Sequence, residues 1–178
     1  EIRRPENAWV HPLQDEADCQ GILAVMLQLE RMLSAVSGLP HVTLQPAAGA
    51  HGELAALLVM RKALLARGAA ERDEILIPDS AHGTNPASCT MAGFRVKTVK
   101  SGASGLVSLE DLARLVGPRT AGLMITNPNT LSLFETQIGK VCETIHRAGG
   151  LVYMDGANLN ALLGEARPGD FGVDAMHF

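Results

Sequence analysis

Asp155 closes the stretch Leu151-Val152-Tyr153-Met154-Asp155, an apolar run that reads as a buried strand with an acid at its carboxyl end. Open α/β sheets place their ligands at that edge. Three other stretches carry residues suited to chemistry beside it. Gln45-Pro-Ala-Ala-Gly-Ala-His-Gly-Glu53 opens a helical pattern with Gly49, Ala50, His51 and Gly52 at its start. Small residues at a helix start let an anion reach free backbone N–H groups, and the macrodipole favours its charge. Close helix packing, with His51 as a cap, would use the same residues. Ser80-Ala-His-Gly-Thr-Asn-Pro-Ala-Ser88 follows a second apolar strand, so His82 faces the same edge as Asp155. Thr126-Asn-Pro-Asn-Thr130 follows a third, where Asn129 and Thr130 have turn formation as their alternative role.

The chemistry can be narrowed by what is missing. No Gly-x-x-x-x-Gly-Lys-Ser/Thr occurs, so Asp155 is not the magnesium acid of a P-loop. Gly49-Ala-His-Gly52 and Gly102-Ala-Ser-Gly105 do not make the Gly-x-Gly-x-x-Gly of a dinucleotide site. The six histidines are dispersed, without His-Glu-x-x-His, and no metal is expected. Pyridoxal phosphate fits better. Its phosphate suits the 49–53 helix start, and its ring nitrogen stays protonated only beside a carboxylate, which Asp155 supplies. His82 could stack on one ring face, and Ala157 is small enough to pack on the other.

The elements that must position these residues follow from periodicity. Ile22, Val25, Met26, Leu29, Met32, Leu33 and Val36 predict an amphipathic packing helix over Glu16 to Ser37, stopped by Gly38 and Pro40. His41 to Gln45 reads as extended. Leu54, Leu57, Leu58, Arg61, Leu64 and Leu65 form the inner face and rim of the next helix. Apolar strands are expected at 74–78, 94–100, 121–126 and 151–155. Helices fall between them, including one from a capping signature at Ser108 to about Val116 and one from Glu135 to Ala148. Apolar strands without alternation, separated by helices, imply a mostly parallel sheet covered on both faces. Residues 1–40 read as an N-terminal segment with a packing helix, and 41–178 as part of a cofactor-binding large domain.

Composition removes other classes. The net charge of −4 is scattered over 178 residues, and aromatics are 3% of them, which argues against nucleic-acid binding. No unbroken apolar run approaches the ~20 residues of a membrane span. Cys19, Cys89 and Cys142 are odd in number and widely spaced, so a reducing, cytoplasmic compartment is expected. The chain has no initiator Met and ends in an apolar stretch that resembles a strand beginning, as a piece of a longer protein would.

The four ordered motifs, at 45–53, 80–88, 126–130 and 153–161, together resemble the glycine decarboxylase P-protein of the glycine cleavage system. Within it the chain is most similar to the cofactor-bearing second subunit of the two-subunit form, a fold-type I pyridoxal phosphate enzyme. The resemblance runs from about His11 to Phe178. It implies the aspartate aminotransferase-like large-domain fold, with pyridoxal 5'-phosphate as cofactor and glycine as substrate. Glycine would be decarboxylated and its aminomethyl group passed to the lipoyl arm of the H-protein, with subunit 1 as partner in a hetero- or homo-oligomer. It implies that Asp155 holds the pyridinium proton, that His82 and Ala157 flank the ring, and that Gly49, Ala50, His51 and Gly52 cradle the phosphate. Thr84, Asn85, Asn129 and Thr130 would line the substrate or phenolic-oxygen side. In the family the Schiff-base lysine follows a segment resembling 174–178. Lys62, Lys97, Lys100 and Lys140 all precede Asp155, so the chain by itself is expected to be inactive. Another fold-type I decarboxylase or lyase, or a cofactorless partner subunit, remains the alternative.

Overall fold

The computed structural model describes residues 3–11 and 13–178. A short helix α1 (Pro5–Ala8) and a single 3-10 turn (Glu16–Cys19) lead into α2 (Gln20–Ser37). Then follow α3 (Gly49–Ala66), β1 (Glu74–Pro78), α4 (Thr84–Met91), β2 (Arg95–Val99), α5 (Leu109–Leu115), β3 (Thr120–Thr126), α6 (Ile138–Arg147), β4 (Leu151–Asp155) and β5 (Ala175–His177). The strands form one sheet in the order β2-β1-β3-β4-β5, and every pairing is parallel.

The expected two-sided burial is what holds this sheet. Every residue of β1, β3 and β4 is buried. Leu76, Leu123, Val152 and Met154 pack against α5 and α6 on one face. Ile75, Ile77, Met124 and Tyr153 pack against α3 and α4 on the other. Because side chains alternate along a strand, one apolar run feeds both cores. Ser108 caps α5 as its motif predicts, its hydroxyl accepting from the Asp111 N–H. Gly149, at φ 82°, terminates α6.

Several expectations are corrected. The stripe of α2 does not pack on the domain: Val25 is 66% and Met32 62% exposed, and Ser37 is the one residue of the helix that is buried. Leu33 and Ser37 in its last turns line a cleft shared with the start of α3 and with β5, whereas Val25, Leu27, Leu29 and Met32 stand exposed. With its leading turn, α2 is also long and apolar enough to cross a membrane by length and composition, which a count of unbroken runs missed. In α3 the inner stripe is Gly52, Glu53, Leu57, Met60 and Leu64, whereas Leu58 and Leu65 lie half-exposed. Each of those two sits one residue past the stripe, about 100° round the helix. The last helix starts at Ile138 rather than Glu135, because Glu135 is drawn inward: its N–H donates to Asn127 Oδ1 and its carboxylate accepts from the Val107 N–H.

Candidate functional site

All five strands point their carboxyl ends the same way, so the loops after β1, β3 and β4 gather on one edge. The N-terminus of α3 is tied to that edge through Glu53. Asp155, the last residue of β4, is 3% exposed. Its Oδ2 accepts from Asn85 Nδ2 at 3.1 Å and its Oδ1 from the Ala157 N–H at 3.0 Å. An ionised carboxylate accepts and cannot donate, and both contacts are donors, so the surroundings match the charged acid. His177 Nε2 lies 3.4 Å from Oδ1.

The loop after β1 is tied to α3 through a second buried carboxylate. Glu53, 3% exposed, accepts from Thr84 Oγ1 and from Ser88 Oγ, each at 2.8 Å. Thr84 Oγ1 is also 2.7 Å from His82 Nδ1, so a hydrogen-bonded chain runs from α3 through Thr84 to the exposed His82 ring. Thr84→Val should leave one oxygen of buried Glu53 without a partner. We expect a loss of about 1–3 kcal/mol in chemical denaturation, with Thr84→Ser near wild type.

Gly49 and Ala50 are exposed at the start of α3, and Ala48 gives the helix no side-chain cap. Its first N–H groups are therefore the kind of donors an anion takes. His51 turns away from that role: its Nδ1 accepts from the Ala47 N–H, as a local cap would. Asn129 accepts from the Leu131 and Leu133 N–H groups of its own loop and donates to Gly105 O in the connection between β2 and α5. Thr130 donates to Ser80 O, tying the β3 loop to the β1 loop. Asn85 is buried against Asp155 rather than placed along an open wall. Asn129, Thr130 and Asn85 thus support the edge, while Gly49, Ala50, His82 and Ala157 are exposed on it.

Sequence reasoning missed three members. Glu53 was quoted within its motif without a role. Tyr153 was read as strand apolar surface, and His177 as the start of a strand. A hydroxyl within a fully buried strand is the signal that could have drawn attention to Tyr153, because a buried phenol needs a partner. Glu53, Asp155 and His177 bring ligand-type atoms within 4.8 Å of one another. Hydroxyls already engage both Glu53 oxygens, and the Tyr153 hydroxyl engages His177 Nδ1. Cys89 offers no nucleophile: burial first, and then the charge of Glu53, push its thiol up to about 12. Lys97 pairs with Glu74 at the first residue of β1, the edge opposite Asp155, while Lys62 and Lys140 lie on α3 and α6.

Unsatisfied polar atoms test whether a cofactor fits here. Among the described residues, Asn85 Oδ1, Thr126 Oγ1 and Asn127 Nδ2 are buried without partners. Thr126 is the register partner of Asp155 across β3 and β4. A polar group bound at this edge would find a carboxylate, an uncapped helix start and an exposed imidazole. That donor and acceptor set fits pyridoxal phosphate.

No family model matches the chain. A protein of Rhodopirellula baltica named "Probable glycine dehydrogenase (decarboxylating) subunit 2" is 57% identical over 169 residues, which cover 95% of this chain and 34% of that protein. Its namesake in Bacillus licheniformis is 55% identical over 175 residues, 98% of this chain and 36% of its own length. The chain therefore spans about a third of the length of these curated relatives. Among solved structures, glycine decarboxylase (P-protein) of the glycine cleavage system, in inhibitor-bound form, superposes with a TM-score of 0.78 at 24% identity, over 97% of this chain and 38% of that one. Sphingosine-1-phosphate lyase of Burkholderia pseudomallei gives 0.67 at 19% identity, over 78% of this chain and 34% of that one. Across about a third of that protein's length, the chain is a close sequence relative of glycine dehydrogenase (decarboxylating) subunit 2, built on the fold of the fold-type I pyridoxal phosphate enzymes.

Proposed function

We propose that the full-length gene product binds pyridoxal 5'-phosphate at this edge and decarboxylates glycine. The aminomethyl group would then pass to the lipoyl arm of an H-protein, with a subunit 1 as partner. The observation that carries the reading is Asp155: a buried carboxylate held between two donors at the carboxyl end of a parallel strand. Bound there, pyridoxal phosphate supplies an electron sink for the pair left when carbon dioxide departs.

The residues would divide the work as follows. Asp155 keeps a proton on the pyridine nitrogen, because a carboxylate in a dry site favours a cation beside it. Asn85 and the Ala157 N–H fix that carboxylate in place. Gly49 and Ala50, with the free N–H groups of the first turn of α3, would hold the phosphate, while Gly52, its own N–H given to Ala48 O, lets that turn sit close to His177. His82 is steadied through Thr84 and Glu53 for contact with the ring, and Ala157 leaves room on the other side. Asn129 and Thr130 keep the loops in register.

The test is glycine-dependent exchange of labelled carbon dioxide by the full-length, cofactor-loaded protein, with subunit 1 and lipoylated H-protein. Exchange that needs both glycine and the lipoyl arm is expected. A cofactor-loaded protein without exchange would overturn the substrate assignment, and a scan of amino acids for spectral change would then identify the substrate. Failure to bind pyridoxal phosphate would instead favour a cofactorless partner subunit.

A further inference from the structure

The proposed reading leaves Tyr153 and His177 unused, although they sit directly behind Asp155. Tyr153 is fully buried in the middle of β4, and its side chain lies on the face shared with α3. A buried phenol needs a partner, and its hydroxyl meets His177 Nδ1. The two rings are stacked at 25° with centroids 6.0 Å apart. Burial, followed by the charges of Glu53 and Asp155, pushes the phenol well above its ordinary range, so it keeps its proton. His177 Nδ1 is the one hydrogen-bond partner of this buried hydroxyl among the described residues, so the phenol's proton is satisfied only by donating to it, which makes Nδ1 the acceptor. In the neutral imidazole the proton then sits on Nε2. That nitrogen is 3.4 Å from Asp155 Oδ1, and the two residues are register partners across β4 and β5.

We infer that His177 is a positioning residue for Asp155: Tyr153 holds its imidazole in the Nε2–H tautomer, and that N–H braces the carboxylate proposed to face the cofactor. At 3.4 Å the contact is longer than a formed hydrogen bond. Such contacts in a ligand-free site tighten when the site is filled. The carboxylate would then have donors on three sides: Asn85, the Ala157 N–H and His177.

The glycines of α3 acquire a second purpose on this reading. A Cβ at Gly52 would lie 2.9 Å from His177 Cβ, and one at Gly49 would lie 3.3 Å from His177 Nε2. The small residues expected to admit a phosphate therefore also seat the imidazole. Glu53 is the other charged group facing His177, and its oxygens are engaged by Thr84 and Ser88. Asp155 is assigned as the acceptor for Nε2–H because its Oδ1 approaches that nitrogen to 3.4 Å and the two residues are register partners.

The inference rests on the cofactor reading, and its test separates the two. The full-length gene product is labelled with 15N-histidine, and the His177 resonances are assigned by their loss in His177→Gln. Long-range 15N–1H spectra should show Nε2 protonated and Nδ1 bare, and Tyr153→Phe should abolish that preference. Pyridoxal phosphate titrations should then show weaker binding by about tenfold in His177→Asn, the scale of one hydrogen bond to a charged group. His177→Gln, whose amide reaches the Nε2 position, should stay near wild type. A proton on Nδ1, or equal cofactor affinities for His177→Asn and His177→Gln with unchanged melting, would overturn the inference. If the unaltered protein binds no pyridoxal phosphate, the functional reading fails, and the tautomer measurement still decides whether His177 presents its proton to Asp155.

Discussion

Asp155→Asn should strip the full-length protein of most of its cofactor affinity and nearly all of its activity. The substitution keeps the side-chain shape and removes the charge. Losing one partner of a buried ion pair costs about 3–5 kcal/mol, or roughly 10²–10⁴-fold in pyridoxal phosphate affinity. Exchange of carbon dioxide with glycine should fall further, because the electron sink depends on a protonated ring. Part of the effect is intrinsic to the protein. The new amide would place an NH₂ group against Asn85 Nδ2 or against the Ala157 N–H, since both point at the carboxylate. Setting two donors face to face in a site this buried costs about 1–3 kcal/mol. Absorbance titration and denaturation, measured on the same samples, separate the two contributions. A variant that melts slightly lower, yet binds cofactor and turns over like wild type, would show that Asp155 is structural and that the ring nitrogen is met elsewhere.

Gly156→Ala should be the most destabilising single methyl at this edge. A Cβ there would lie 2.2 Å from His177 O and 2.5 Å from Met176 Cε. The first neighbour is backbone and cannot rotate away, so β5 would have to move from β4 or the turn after Asp155 would have to open. Overpacking of this kind costs about 1–3 kcal/mol, and the upper end is expected where backbone is struck. Gly139→Ala on α6, where an added Cβ meets nothing within 4 Å, is the control. It should be neutral or stabilising by about 0.5–1 kcal/mol, because alanine is the better helix residue. Urea midpoints of the two variants provide the comparison. Cofactor content should fall with Gly156→Ala, since the same displacement would carry His177 away from Asp155. Equal midpoints for the two variants would mean that the β4–β5 contact yields without cost.

The parallel sheet was legible because its strands are buried on both faces. Burial of that kind writes itself into the chain as unbroken apolar runs, such as 75–77 and 121–125. Asp155 stood out for the same reason, as an acid ending one of these runs. The ordered motifs pointed to a family, and the relatives found at 52–57% identity agree. The α2 stripe was misjudged because periodicity reports an apolar face and says nothing about what covers it. Which leucines of α3 are inner face and which are rim was not legible, because all of them satisfy a helical period and only the sheet beneath selects one stripe.

What the sequence alone determined was therefore local and periodic: the strands, the helix caps, the small residues opening α3 and the acid at the end of β4. What the tertiary structure decided was which polar groups meet. Asn85 and Asp155 are 70 residues apart, Thr84 and Glu53 31, and Tyr153 and His177 24, yet each pair is joined side chain to side chain. No spacing rule reaches across such distances. These pairings exist because five parallel strands end on one edge, where each buried hydroxyl, amide or carboxylate must find a partner that the chain order does not name.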